Sequence, residues 1–319
     1  MKKSLRIVFM GTPAFAVRIL DELHQSHHEV VGVVTVADKP AGRGQLMHQS
    51  AVKQFALEQH LPLAQPEKLR DQTFIEQLKE WNADVFVVVA FRMLPDLVWK
   101  LPPLGTFNLH ASLLPAYRGA APINWALING ETKTGVTTFL INEQIDAGAI
   151  LKHAEVQISP NMNVGELHDQ LQELGAALTL ATCNELATGA IKPMLQKALE
   201  GKSALAPKLF KENTRIDWQQ APFDIHNLIR GLNPYPGAWC KLWSKTKNDW
   251  VQFKIFESAL SAHTCQRTNG PEAHKEGILF PCADGNLLIH SLQMEGKKRM
   301  DAKAFMAGND LSQFAYSQE

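Results

Sequence analysis

The hydrophobic pattern divides the chain into two unlike parts. Short, nearly unbroken apolar runs lie at Leu5–Met10, Glu29–Val36, Ala83–Ala90 and Thr134–Ile141, and a glycine or a polar residue stands within two positions of the end of each. Runs without polar alternation are what strands covered on both faces require, so they predict a mainly parallel sheet. Between and after them, apolar residues recur at helical spacing over Ala14–Leu23, Ala51–His60, Phe74–Trp81 and Met162–Ala187. Thr12 reads as the cap of the first helix, with Pro13 in its first turn. Strand, helix, strand in this order predicts right-handed crossovers. The run ADVFVVVA at 83–90 is the most apolar and belongs at the centre of the sheet. Ala149–Ile158 reads as one more strand.

After Lys208 the period changes. Trp250–Phe256, Gly277–Pro281 and Asn286–Leu292 are separated by glycine and asparagine turns, which predicts a small antiparallel barrel, with the OB-fold as one option. Gly189, Pro193, Gly201 and Pro207 interrupt any regular element between the two parts. The expected organisation is therefore an α/β domain over 1–189, a linker over 190–207 and a β-barrel domain over 208–319. A length of 319 residues fits two domains. Four of the seven tryptophans, Trp218, Trp239, Trp243 and Trp250, fall in the second domain and read mainly as core.

Composition adds little until charge is taken locally. Basic and acidic residues number 32 each, so the whole molecule announces no polyanionic partner. Yet Lys192–Arg215 holds six basic residues against two acidic ones, and Lys297, Lys298 and Arg299 form a second basic run. The four cysteines, Cys183, Cys240, Cys265 and Cys282, make no CxxC pair; a reducing, cytoplasmic setting fits, and neither a zinc knuckle nor any other metal site is expected. No apolar stretch approaches the roughly 18 residues of a membrane span. The single Gly11 after the first strand lacks the glycine spacing of a dinucleotide fingerprint.

The candidate chemistry gathers in GTFNLHASLLPAYRGAAPINWALING, residues 105–130. In TFNLH, Asn108 and His110 are two apart and share one strand face. Ser112, a turn at Pro115 and Arg118-Gly119 follow, making a loop able to hold a polar ligand. Asp146, in the loop NEQIDAG, is a carboxylate within reach of that strand. An amide donor, an imidazole and a carboxylate suit acyl transfer to an external amine: Asn108 and His110 can stabilise an oxyanion, and His110 or Asp146 can move a proton. A serine nucleophile at Ser112 lacks the GxSxG elbow. His24, His27 and His28 cluster at a helix end without metal-ligand spacing and read as solvated. Asp38–Gln45, with two glycines and two cations, reads as an exposed loop without regular structure in which Arg43 can reach a phosphate. Phe91–Pro95 stands at the end of the central strand, where its apolar side chains serve the core or line a site.

Taken together, MGTPAFA at 10–16, DKPAGRG at 38–44, NLHASLLPAYRGAAPINWALING at 108–130, IDAGAI at 145–150 and GLNPYPGAW at 231–239 resemble the methionyl-tRNA formyltransferase family. The resemblance spans nearly the whole chain. It implies a Rossmann-like formyltransferase domain followed by an OB-like tRNA-binding domain, and transfer of a formyl group from 10-formyltetrahydrofolate to the methionine α-amino group of initiator methionyl-tRNA. On this resemblance Asn108, His110 and Asp146 are catalytic; Phe91, Arg92, Met93, Leu94, Ser112, Leu113, Leu114 and Pro115 hold folate; and Lys39, Arg43, Lys208, Lys211 and Arg215 hold tRNA. No metal, membrane or protein partner is implied. FRMLP at 91–95 departs from the AYGxxLP pattern common in the family. The Asn-x-His pair is shared by folate-dependent formyltransferases at large, so another amine, such as that of a sugar nucleotide, is the rival acceptor.

Overall fold

The computed structural model describes residues 3–41, 46–196 and 204–317. In chain order, β1 (Arg6–Gly11), α1 (Ala14–His24) and β2 (Glu29–Val34) form the first crossover. They are followed by β3 (Lys39–Ala41), β4 (Leu46–His48), α2 (Ala51–Glu58), β5 (Leu63–Ala64), α3 (Gln72–Glu80), β6 (Val85–Val89), α4 (Asp96–Trp99), β7 (Thr106–His110) and β8 (Arg118–Gly119). Next come α5 (Pro122–Ile128), β9 (Lys133–Leu140), β10 (Ile150–Gln157), α6 (Val164–Thr188) and β11 (Leu205–Ala206).

The chain packs into two compact units that do not follow a single cut in the sequence. One comprises residues up to Gly119, Lys133–Val156 and His168–Leu205; the other comprises Ala120–Thr132, Gln157–Leu167 and everything from Ala206. The stretch 105–130 is thus divided: its strand and turn belong to the first unit and α5 to the second.

The first unit is built on a seven-stranded sheet in the order β10-β9-β7-β6-β1-β2-β5. β1 pairs in parallel with both β2 and β6, β6 in parallel with β7, and β2 in parallel with β5. β9 reverses, running antiparallel to β7. Every residue of β6 is buried, and β6 stands in the middle of the sheet, as its sequence requires. The order runs outward in both directions from the β1/β6 pair, which makes this the topological switch point. In β2, Gly32 admits close packing: a Cβ there would stand 2.3 Å from the Trp81 ring.

Three local expectations are corrected. The residue capping α1 is Pro13, without a side-chain hydrogen bond, so Thr12 is not the cap. The segment expected to lack regular structure begins with a strand, β3, which pairs antiparallel with β4 just beyond it, Lys39 opposite His48 and Ala41 opposite Leu46; Arg43 lies outside the described residues. Finally, His28 is not solvated. It is 5 % exposed and its Nδ1 accepts a hydrogen bond from the Leu5 N–H at 3.1 Å, meeting a donor at the start of β1 that the sheet leaves unpaired.

In the second unit, α7 (Pro222–Leu232) precedes β12 (Ala238–Ser244), β13 (Asp249–Ser261), β14 (Glu272–His274), β15 (Gly277–Pro281), β16 (Asn286–Met294), β17 (Met300–Asp301), α8 (Ala302–Gly308) and β18 (Phe314–Ala315). The strands form a curled antiparallel sheet, a half-barrel, in the order β14-β15-β16-β13-β12-β18, with β17 beside β16. β13 is long enough to serve two partners, β12 with its first part and β16 with its second, and irregular pairing near Glu257 marks the bend. Alternate positions of β12 turn inward to join Ile225, Ile229, Phe253, Phe280 and Phe305 in one core. Trp218 is core, stacked 4.4 Å from Phe280, whereas Trp250 is 38 % exposed.

Candidate active site

β7 is hydrogen-bonded along both edges, so its register is fixed: Asn108 lies opposite Val88 on one side and Phe139 on the other. The side chains of Asn108 and His110 share a face. His110 is 6 % exposed, and its Nε2 lies 2.8 Å from the Tyr117 carbonyl oxygen. A carbonyl oxygen only accepts, so this geometry places a proton on Nε2 and assigns the tautomer. In the neutral ring Nδ1 is then the free base, and Nδ1 is the atom that gains or loses a proton. It faces the carboxylate of Asp146, with Oδ2 3.9 Å away, too long for a hydrogen bond but within the range of an ion pair.

Asp146 reaches this position by an unexpected route. Because β9 runs against β7, Leu140 lies opposite Phe107, and the Ile141 N–H bonds the Thr106 carbonyl at 2.8 Å. The β9–β10 loop therefore starts beside the beginning of β7 and folds back along it to bring the carboxylate to His110 at the end. Asp146 has φ +51°, and its Oδ2 accepts from the Gly119 N–H at 3.0 Å. Of the three expected residues, His110 and Asp146 face each other, and Asn108 stands two residues before His110 on the same face of β7, its amide without a hydrogen-bond partner among the described residues.

The turn after β7 is braced from inside. Ser112 is fully buried and its Oγ donates to the Ala116 carbonyl at 2.6 Å, which removes it as a nucleophile. Thr137 of β9, which the sequence did not single out, donates to the Ser112 carbonyl at 2.7 Å and accepts from the Leu114 N–H at 3.2 Å. Leu114 packs with Phe139 and Ile150, while Leu113 and Pro115 are half-buried. In the segment after β6, Leu94 is core, Phe91 half-buried and Met93 exposed. Arg92 donates through Nη1 to the Glu67 carbonyl at 2.9 Å and through Nη2 to the Pro66 carbonyl, which ties the loop ahead of α3 to the end of β6.

A cavity of about 520 Å³ lies in this unit, lined by Trp99, Arg118, Asn142, Gln144, Ala147 and Gln196 among others. Its size is that of a small-molecule site. Neither Phe91–Leu94 nor Ser112–Pro115 lines it. Gln196 falls in the stretch read as linker and is 3 % exposed. Burial pushes every thiol up, that of Cys265 to about 11, those of Cys240 and Cys282 to about 12 and that of Cys183 higher still.

Residues 5–182 match the formyl transferase family model, and 208–310 match the formyl transferase C-terminal domain. The chain is 49 % identical over 315 residues to a methionyl-tRNA formyltransferase of Bacteroides thetaiotaomicron, covering 98 % of both chains. To one of Flavobacterium johnsoniae it is 50 % identical over 308 residues, covering 96 % of both. The chain belongs to the methionyl-tRNA formyltransferase family. Its fold is also that of more distant formyltransferases. An N-formyltransferase from Helicobacter canadensis, solved with folinic acid and dTDP-3-aminofucose, superposes with a TM-score of 0.65 at 20 % identity, covering 93 % of this chain and 100 % of that one.

In this family member the basic residues singled out in the second domain are surface groups with aromatic neighbours. Lys208, Lys211 and Arg215 are exposed. Lys211 Nζ stands 5.2 Å from the centre of the Trp239 ring, the Arg215 guanidinium 5.7 Å from the same ring, and Lys208 Nζ 5.7 Å from the exposed Phe210 ring. Trp239 is held by its Nε1–H bond to the Lys211 carbonyl at 2.8 Å. In the first unit, Lys39 is exposed on β3. Lys197 and Lys202 of the basic segment lie outside the described residues.

Proposed function

We propose that this protein transfers the formyl group of 10-formyltetrahydrofolate to the α-amino group of methionine on initiator methionyl-tRNA, with Asn108, His110 and Asp146 as the catalytic residues and the cytoplasm as its setting. The observation that carries the chemistry is the meeting, at the end of one strand, of an uncommitted amide, a buried imidazole with a defined proton-exchanging nitrogen, and a carboxylate. The acceptor is supported by full-length likeness to relatives that bear its name.

Attack of the amine nitrogen on the formyl carbon forms a C–N bond and turns the carbonyl oxygen into an oxyanion. Donors already in place stabilise it without reorganisation: the Asn108 amide, and His110 Nδ1 when protonated. The attacking nitrogen must lose a proton, which Asp146 accepts directly or through water. The leaving folate nitrogen must gain one as its C–N bond breaks, and His110 Nδ1 is the donor on this reading.

For the donor, the half-buried side chains of Phe91, Leu113 and Pro115 offer apolar surface to a flat ring, and Asn142 and Gln144 bring amides to the wall of the small-molecule-sized cavity. Ser112 and Leu114 act by holding the turn, and Arg92 by holding the loop after β6. For tRNA, Lys39, Arg43, Lys208, Lys211 and Arg215 neutralise phosphates, and Trp239 and Phe210 add faces on which bases stack. The test is a formylation assay with 10-formyltetrahydrofolate and charged initiator or elongator methionyl-tRNA side by side. Formylation of the initiator in clear preference is expected. Formylation of an amino-sugar nucleotide with none of initiator methionyl-tRNA would overturn the assignment.

A further inference from the structure

Gln196 is the point at which the Asp146 loop is closed. Its Nε2 donates to the Asp146 carbonyl at 2.9 Å and to the Gly148 carbonyl at 2.8 Å. Its Oε1 accepts from Arg118, from Nε at 3.1 Å and from Nη2 as well. The residue after Arg118 is Gly119, whose N–H holds the Asp146 carboxylate at 3.0 Å. A closed ring results: Asp146 main chain, Gln196, Arg118, Gly119, Asp146 side chain. The segment carrying Gln196 is itself fixed to β10 by reciprocal hydrogen bonds of Met194 with Ile150, both at 2.8 Å.

Only an amide satisfies every member of this ring. Two carbonyl oxygens need donors and a guanidinium needs an acceptor, and one side chain supplies both. A glutamate would keep the acceptor for Arg118 but set a carboxylate against two carbonyl oxygens. A buried group left unpaired in this way moves or drives its partners apart. The loop has reason to move, because Asp146 is held at φ +51°, a backbone region that non-glycine residues adopt only when neighbours impose it.

We propose that Gln196 is a positioning residue for catalysis: by gripping both carbonyls that flank Ala147 it fixes where the Asp146 carboxylate stands relative to His110 Nδ1. The proposal rests on the reading of Asp146 as a catalytic residue. A misplacement of the carboxylate by about 1 Å is of the size that lowers turnover about a hundredfold.

The test is a double-mutant cycle on the full-length enzyme with Gln196→Glu and Asp146→Asn, read as single-turnover formylation rate and KM for methionyl-tRNA, with a melting curve for each variant. Gln196→Met, which keeps the volume but not the hydrogen bonds, runs through the same cycle in case the glutamate variant fails to fold. The expected result is a rate lowered about a hundredfold by either Gln196 substitution, KM within about twofold, and almost no additional loss when the Asp146→Asn background already lacks the charge. Losses that multiply in the double variant would show that Gln196 acts independently of Asp146 and overturn the proposal. A Gln196 variant with a near-normal rate beside an inactive Asp146→Asn enzyme would overturn it alone. A near-normal rate for Asp146→Asn would instead remove the catalytic reading beneath it.

Discussion

Replacing Asp146 by asparagine isolates a single charge. The asparagine Oδ1 can still accept from the Gly119 N–H, so the loop keeps its anchor, while an uncharged amide now confronts His110. At 3.9 Å, with an effective dielectric constant of about 20, the lost attraction to an imidazolium is about 4 kcal/mol. The Asp146 side chain is 16 % exposed, so screening by solvent makes this an upper figure. If the whole of it is felt in the transition state and none in the ground state, turnover falls by up to about a thousandfold. The assay is steady-state and single-turnover formylation of initiator methionyl-tRNA, with tRNA binding measured separately. The expected pattern is a kcat lowered by about two to three orders of magnitude at nearly constant tRNA affinity. A kcat within about tenfold of the parent enzyme, or a parallel loss of affinity, would refute the placing of the charge in the reaction.

Gly148→Ala is expected to destabilise the protein by about 3 kcal/mol or more, because the added Cβ would stand 1.6 Å from the Leu140 carbonyl oxygen; a loss below about 1 kcal/mol in urea unfolding would show that the loop moves aside. His28 and His226 are both held below the ordinary value of 6.5, chiefly by burial, with the neighbouring His27 and Arg230 adding to the effect. Each binds its proton more readily in the unfolded chain, so stability is fully present above pH 6.5 and declines as the pH falls from there through the depressed values. Melting temperatures between about pH 8 and pH 5 should show this decline, and a flat profile would contradict it. Lys211→Ala and Arg215→Ala should raise the KM for tRNA while sparing kcat, and should flatten the dependence of log KM on log salt by about one unit for each phosphate no longer neutralised. An unchanged slope would place these side chains away from the phosphates.

The elements legible in the sequence were those whose signal is local. ADVFVVVA could only be a strand covered on both faces, and the strand holding Asn108 and His110 showed its shared face through spacing alone. What escaped was settled by distant partners. Nothing near His28 says that the N–H of Leu5, 23 residues earlier, needs an acceptor. The Lys39–Ala41 strand was hidden by Pro40 and by the two glycines that follow in the sequence, residue types that argue against a strand and give no hint of the pairing with Leu46–His48. Gln196 lies in a tract of glycines, prolines and cations, and its partners are 48, 50 and 78 residues away. The assignment of α5 to the second unit depends on packing such as the Asn124 bond to the Gly231 carbonyl at 2.8 Å, which no periodicity discloses.

The side chains proposed as catalytic stand on elements of different rigidity. Asn108 and His110 belong to an interior strand bonded on both edges, whereas Asp146 stands in the hairpin loop at the border of the sheet, secured mainly by the Gly119 N–H and by Gln196. The free energy needed to open a segment depends on the interactions of that segment and not on those of the whole molecule. On warming, the loop is therefore expected to release the Asp146 carboxylate while the imidazole is still in place and the sheet still folded. Formylation should fail at a temperature below the loss of circular dichroism, and amide exchange at residues 142–148 should outpace exchange in β7 by the same margin.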